Sequence, residues 1–299
     1  MKDLLIKIIL LISGIALLLI FCFILSSTVG VEGKTESYAK TAAWWLGKIN
    51  FKREIEQDII KRNVVVAVVD TGTKNYNDEF TIVAKGYNVL NNSEDTSDTH
   101  GHGTKCAQLI ASKKIGVNPY ATILPVKVRE EMLDNPEYVS KGIIWAADNG
   151  ADIISLSLGK APTKNNMHEI YLEGVEYALK KGKLIVAASG SAGSEIFYPA
   201  AIDGVICVSA LDASYNYKFD FNVDEIDIFV VDIKDNLSSS YPTAIVSGVA
   251  SLIMSIDDTL SAQDAMEVIL DTADVITLKN KQAKVVNVDR AIEKVVESK

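Results

Sequence analysis

From Asn63 onward, short apolar runs of strand length take turns with amphipathic stretches of helical period, and this alternation narrows the fold more than any other feature of the chain. The strand-like runs are VVVAVVD, ATILPVKV, ADIISLSL, KLIVAAS, GVICVSA and EIDIFVV. The helical stretches are GTKCAQLIASKK, YVSKGIIWAADNG, NMHEIYLEGVEYALKKG, YPTAIVSGVASLIMSI, SAQDAMEVILDTA and VDRAIEKVVE. Parallel strands need a crossover long enough to hold a helix, so the pattern predicts an α/β fold: a doubly wound, mostly parallel sheet with helices on both faces. The runs are almost continuously apolar, as strands covered on both faces must be. No repeat and no low-complexity linker interrupts residues 63–299, which are read as one domain.

The N-terminus is of another kind. Ile8 through Val31 carry no charged side chain, enough helix to cross a bilayer. A cleaved signal peptide has a shorter apolar stretch followed by an A-x-A-like site, so residues 1–31 are read as an uncleaved transmembrane anchor, with a cleaved signal sequence as the alternative. Lys2 and Lys7 precede the span, which places the bulk of the chain outside the cytoplasm, secreted if the segment is removed. Residues 32–62, with TESYAKTAAWWLGKINFKREIEQDIIKR, alternate apolar and charged positions and read as a helical stalk or docking segment. The net charge of −9, without a basic block, argues against a nucleic-acid partner. Cys22 lies in the apolar span, while Cys106 and Cys207 fall in core elements without CxxC spacing and read as small buried hydrophobes.

The run VVVAVVDTGT ends abruptly in Asp70. Two unrelated protease designs place Asp-Thr-Gly at a strand end, one pairing two carboxylates around water and the other using one buried carboxylate to orient a histidine. The carboxylate-pair design is all-β and needs two such segments, whereas this helix-rich sequence has one. In an open α/β sheet, functional residues gather at the carboxyl ends of strands, where Asp70 is expected. DTHGHGTKCAQLIAS then opens a helix at His102, and DNLSSSYPTAIVSGVASLI opens another at a serine cluster. An acid, a histidine and a serine at element ends are the parts of an acyl-transfer triad. His100 and His102 form an HxH that with Asp98 has the donor types of a metal site, but the only other histidine, His168, is far along the chain, and no metal is expected.

These segments resemble the subtilisin-like serine peptidases, the subtilases. VAVVDTG is similar to the family's aspartate block, and HGHGTKCA to its histidine block. GIIWAADNGADIISLSLG resembles the stretch ending in the substrate-binding strand, KLIVAASGSAG the oxyanion block, and SSSYPTAIVSGVASLI the serine block. Asp, His, Ser is also the family's chain order. The resemblance implies that Asp70 orients the imidazole, His102 is the general base and then acid, and Ser240 is the nucleophile, since the family's serine stands eight residues before a helix glycine, here Gly248. It further implies substrate binding by Ser157, Leu158 and Gly159, by strand addition to a peptide, and by Ser189 and Gly190. It aligns Cys106 with a cysteine beside the histidine in some branches, where thiol reagents would crowd the base. Calcium sites are common in the family, but none is matched here and no cofactor is expected.

Departures from the family pattern bear on activity. The oxyanion asparagine falls on Ser191, and losing one such donor costs on the order of 10²–10³ in rate, a magnitude from this same family. The Gly-Thr before the nucleophile is Ser238-Ser239, and the proline four residues after it is Ala244, with Pro242 nearby. The alternative reading is therefore a weak or inactive subtilase-fold protein that binds peptides or a partner. Val31 to Asn63 is short for the family's folding-assisting propeptide, which implies folding without one or a separate folding or inhibitory chain. The segment from Asp227 to Asn236 is trimmed, and the acidic stretch REEMLDNPEY, Arg129 to Tyr138, is either a solvated loop or a cleft border that favours basic side chains.

Overall fold

The computed structural model describes residues 46–51, 57–74, 79–83, 85–162, 167–190, 195–217, 219–232 and 238–297. The expected anchor, much of the expected stalk, and Ser191 lie outside the described residues. Among the described residues no helix is long and apolar enough to cross a membrane. The chain from Trp45 onward forms one compact unit.

The elements run β1 (Val65–Asp70), β2 (Thr81–Ile82), β3 (Tyr87–Asn88), α1 (His102–Ala111), β4 (Thr122–Lys127), α2 (Pro136–Asp148), β5 (Ile153–Leu156), α3 (Met167–Lys180), β6 (Leu184–Ala188), β7 (Val205–Leu211) and β8 (Ile228–Val231). They continue through α4 (Ser240–Ile256), α5 (Ala262–Asp271), β9 (Asp274–Leu278), β10 (Lys281–Val285) and α6 (Val288–Glu297). One sheet holds the strands in the order β2-β4-β1-β5-β6-β7-β8-β10-β9, with β3 also on β4. Every pairing is parallel except β9 with β10. Each of the six apolar runs read from the sequence is a strand of this sheet.

Right-handed crossovers put α1, which leads from β1 out to β4, and α2, which leads back across to β5, on opposite faces of the sheet. α1 packs with α4, and α2 with α3. The chain thus reverses direction around β1, and the crevice that such a reversal opens lies at the carboxyl end of the strand carrying Asp70. Burial dictates the composition of β4: all six of its residues are buried, and Pro125 sits where β4 has no outer neighbour, between the pairings with β2 and β3. α4 is buried along almost its whole length, and a stripe of Thr243, Ser247 and Ser255 turns each hydroxyl to the carbonyl four residues earlier, so no polar group is stranded. A Cβ on Gly248 would lie 2.8 Å from Val117 Cβ, so glycine sets how closely α4 approaches α1 and the turn that follows it.

The β9–β10 hairpin is missing from the sequence reading. β9 alternates exposed and partly buried residues along DVITL, a pattern weaker than the apolar runs, and its turn is built by Lys279 and Asn280 at φ 48 and 64. Asparagine at positive φ in a two-residue hairpin turn is the local signal that marks it.

Candidate active site

The carboxyl end of β1 delivers Asp70 fully buried, with Thr71 N donating to its Oδ1 at 2.7 Å. His102 is the first residue of α1. Its helix can reach the strand end because Gly103 has no side chain: a Cβ there would lie 2.3 Å from Gly72 O and 3.1 Å from Asp70 Cβ. His102 Nδ1 stands 2.9 Å from both Oδ1 and Oδ2 of Asp70.

Asp98 holds this arrangement. Its Oδ1 accepts from Thr71 Oγ1, His100 N and Gly101 N, and its Oδ2 accepts from Thr104 N and Thr104 Oγ1. Thr71 Oγ1 in turn accepts from Gly103 N at 3.0 Å. One carboxylate thus ties the turn after β1 to the first turn of α1, where it also meets the helix dipole favourably. Burial opposes its ionisation, but these donors hold the Asp98 pKa below the usual carboxylate range.

Ser240 opens α4 and lines a cleft of about 250 Å³ together with Ser157, Leu158, Gly159, Ala188, Gly190 and Phe197. Its Oγ donates to Ser157 O at 3.2 Å, while Ser157 Oγ donates to Ser240 O at 2.7 Å. Ser240 N donates to Ser238 Oγ at 3.3 Å. Ser239 is buried and bridges to the next loop, with its Oγ donating to Gly190 O at 2.8 Å and accepting from Gly190 N at 3.2 Å. The Tyr241 ring stacks on that of His102 with centroids 6.0 Å apart. The three expected triad residues therefore gather at one end of the sheet, but no hydrogen bond joins Ser240 to His102: the serine hydroxyl is turned to the Ser157 carbonyl, just beyond the end of β5.

Of the other expected residues, Ser189 is fully buried with its hydroxyl donating to Ser209 Oγ, while Gly190 and Gly159 line the cleft. His168 packs edge-on to Tyr198 instead. Cys106 Sγ lies 4.0 Å from His102 Nδ1. Burial works against protonation of His102, but Cys106 and Asp70 outweigh it and raise the imidazole pKa. Burial pushes the Cys207 thiol up, as expected for a core cysteine.

Two residues went unread. Arg129 and Asp134, in the acidic stretch after β4, have side chains buried beside Asp70 and against Gly159 N respectively. No local signal separates them from a solvated loop, because their partners lie far along the chain. A calcium ion takes six to eight oxygen ligands. Among the described residues the one cluster of acidic, histidine and cysteine atoms close enough to hold an ion is Asp70, His102 and Cys106, which does not suit calcium.

The model of the subtilase family matches residues 61–232. Thermitase of Thermoactinomyces vulgaris is 33% identical over 238 residues, spanning 71% of this chain and 81% of thermitase. Subtilisin DY of Bacillus licheniformis is 28% identical over 259 residues, spanning 79% of this chain and 92% of that one. The minor extracellular protease Epr of Bacillus subtilis is 30% identical over 66% of this chain, which spans 31% of Epr. Among solved structures, a lanthipeptide protease shares the fold with a TM-score of 0.73 at 19% identity, covering 85% of this chain and 95% of that one.

Proposed function

The chain belongs to the subtilase family and is a subtilisin-like serine protease, and from that premise we propose that it is an endopeptidase whose Asp70, His102 and Ser240 form the catalytic triad. The observation that carries the reading is the contact of His102 Nδ1 with both oxygens of buried Asp70 at 2.9 Å. That contact fixes the tautomer with the proton on Nδ1 and leaves Nε2 to take the serine proton.

An extended peptide adding to Ser157–Gly159 brings an amide N–H to Ser157 O, the acceptor that Ser240 Oγ now uses. Losing that acceptor frees the hydroxyl to turn to His102. Ser240 Oγ then attacks the scissile carbonyl, His102 accepts its proton and passes it to the leaving amine, and water repeats the sequence to release the acyl group. The Ser240 N–H at the start of α4 faces the developing oxyanion, with the residue at Ser191 as its partner. Burial opposes the ionisation of Asp70, yet the neighbouring His102 and Arg129 charges hold its pKa below the usual carboxylate range, so it stays an anion throughout.

In this reading residues 1–31 anchor the chain, and the peptidase domain, which meets peptide substrates outside the cytoplasm, takes in the end of the expected 32–62 stalk, from Trp45 onward, together with residues 63–299. A fluorophosphonate probe tests the chemistry: the full chain is labelled and Ser240→Ala is not. No labelling of folded wild-type protein would overturn the endopeptidase reading in favour of a peptide-binding subtilase fold. Retention of the full chain in carbonate-washed membranes tests the anchor, and its release would favour cleavage.

A further inference from the structure

We infer that Arg129 is a positioning residue for the Asp70–His102 pair, bridging both oxygens of the carboxylate beside the imidazole and held there by Asp134. The inference rests on the proposed triad. Arg129 Nη2 donates to Asp70 Oδ2 at 3.1 Å and to Oδ1 at 3.2 Å, and lies 3.4 Å from His102 Nδ1. Its other terminal nitrogen, Nη1, donates to Asp134 Oδ1 at 2.6 Å. Asp134 Oδ2 accepts from Gly159 N at 2.9 Å. The clamp therefore runs from the acid of the triad to the backbone of the substrate strand. The guanidinium also reaches Ser157 O at 3.4 Å.

The backbone aims the side chain. β1 and β4 pair in register, Asp70 opposite Lys127, and Val128 N continues the ladder to Asp70 O at 2.9 Å. Alternation then sends Lys127 and Arg129 to the same side of the chain. Lys127 is already matched, its Nζ with Glu130 and with Ser97 O.

Stability alone is a poor reason for such a group. The side chains of Asp70, Arg129 and Asp134 are only 0%, 2% and 6% exposed, and burying ion pairs costs desolvation that apolar residues of like volume avoid. Arg129 Nε is buried with no hydrogen-bond partner, a further cost. What the arrangement supplies is geometry and charge at the imidazole. A planar guanidinium fixes the carboxylate that orients His102. Its positive charge beside Nδ1 opposes protonation of the ring and keeps the base available at lower pH. Asp134 moderates that charge from the far side.

His102 faces Asp70 from β1, Cys106 and His100 from α1 and its approach, Arg129 with Asp134 behind it from the loop after β4, and Tyr241 from α4. Removing the cation must raise the imidazole pKa, and removing its counter-ion must lower it.

The test is the pH dependence of the second-order rate of fluorophosphonate labelling of the full chain, between about pH 5 and about pH 9. Arg129→Met moves the acid limb to higher pH by about 1 unit or more. Asp134→Asn moves it the opposite way, and Arg129→Lys, keeping the charge, moves it less than Arg129→Met. A limb that stays put in folded Arg129→Met and Asp134→Asn, with only the plateau rate lowered, overturns the inference and leaves Arg129 a structural residue. If Arg129→Met does not fold, Asp134→Asn alone decides by the sign of its shift. If the wild type is not labelled, the endopeptidase reading fails, and the His102 imidazole titration followed by NMR in the same variants still decides the role of Arg129.

Discussion

The two halves of the proposed triad are built differently. On the acid–base side, Asp70 and His102 are fixed by a web of buried bonds: Asp98 holds the start of α1, Thr71 bridges strand and helix, and Arg129 donates to both oxygens of the carboxylate. On the nucleophile side, Ser240 is held by two hydrogen bonds to Ser157, 83 residues away, and its neighbours Ser238 and Ser239 stand where the family resemblance implies Gly-Thr. The first half has its carboxylate and imidazole in contact, and the second has its hydroxyl turned to the Ser157 carbonyl. The difference assigns the fixed geometry to the fold and the last alignment to the substrate, consistent with catalytic hydrogen bonds that tighten only once substrate is bound.

The strongest way to break that contrast is to disarm the fixed half. Asp70→Asn keeps the shape but offers Nδ1 an ambiguous partner, so the wrong tautomer is populated. The expected loss is about 10⁴-fold in kcat, read by peptide hydrolysis. A loss of tenfold or less would show that the geometry of the acid–base side does not limit the rate.

Asp98→Ala tests the scaffold behind the same half. It removes an ionised acceptor serving Thr71, His100, Gly101 and Thr104, which should cost about 3 kcal/mol in urea unfolding. The folded pKa of Asp98 is depressed, so its stabilisation is present above the unfolded carboxylate value and is lost as pH falls through the folded one. The gap between wild type and variant should accordingly be full at neutral pH and close in acid, below about pH 4. A gap that stays constant across that range would mean that Asp98 acts by shape alone.

Ser239→Ala makes the matching test of the nucleophile half. It leaves Gly190 N and O, both partnered by the buried hydroxyl, without it. The expected cost is about 1–2 kcal/mol by urea unfolding, smaller than that of Asp98→Ala because no charge is involved. An equal or larger cost would erase the asymmetry between the halves.

Legibility from sequence follows the same division. β1 and α1 were readable because a strand buried on both faces is an unbroken apolar run and HGHGT supplies the glycine that lets a helix meet it closely. Ser157–Gly159 were named only through the family resemblance, on the stretch that ends β5. Arg129 was not readable, because its partner Asp70 is 59 residues away and a charge among acidic neighbours looks solvated until the sheet register places it. Nor could sequence show which way Ser240 Oγ turns, since that depends on whether Ser157 O or His102 is the better acceptor in the folded cleft. The β9–β10 hairpin escaped because partial burial gives a weak alternation, with Asn280 as its one strong local cue.

The smallest effect is also the sharpest on the nucleophile side. In the absence of substrate, Ser240 N donates to Ser238 Oγ at 3.3 Å, so the side chain at the family's glycine position occupies the donor proposed to face the oxyanion. The bond is long and its acceptor neutral and half-buried, so its net worth is about 1 kcal/mol or less. A developing oxyanion competing for the same N–H must first displace that hydroxyl. Ser238→Ala removes the competitor while keeping a Cβ and thus the backbone preference of the turn. It should raise the fluorophosphonate labelling rate about two- to fivefold, the factor that such an energy yields, with no shift in the pH profile, because the imidazole and its partners are untouched. Ser238→Gly should give a smaller gain, since glycine also loosens the turn that aims Ser240. If Ser238→Ala is slower than wild type, the Ser238 hydroxyl aids the nucleophile turn, and the serine that replaces the family's glycine is an adaptation of this site and not a handicap.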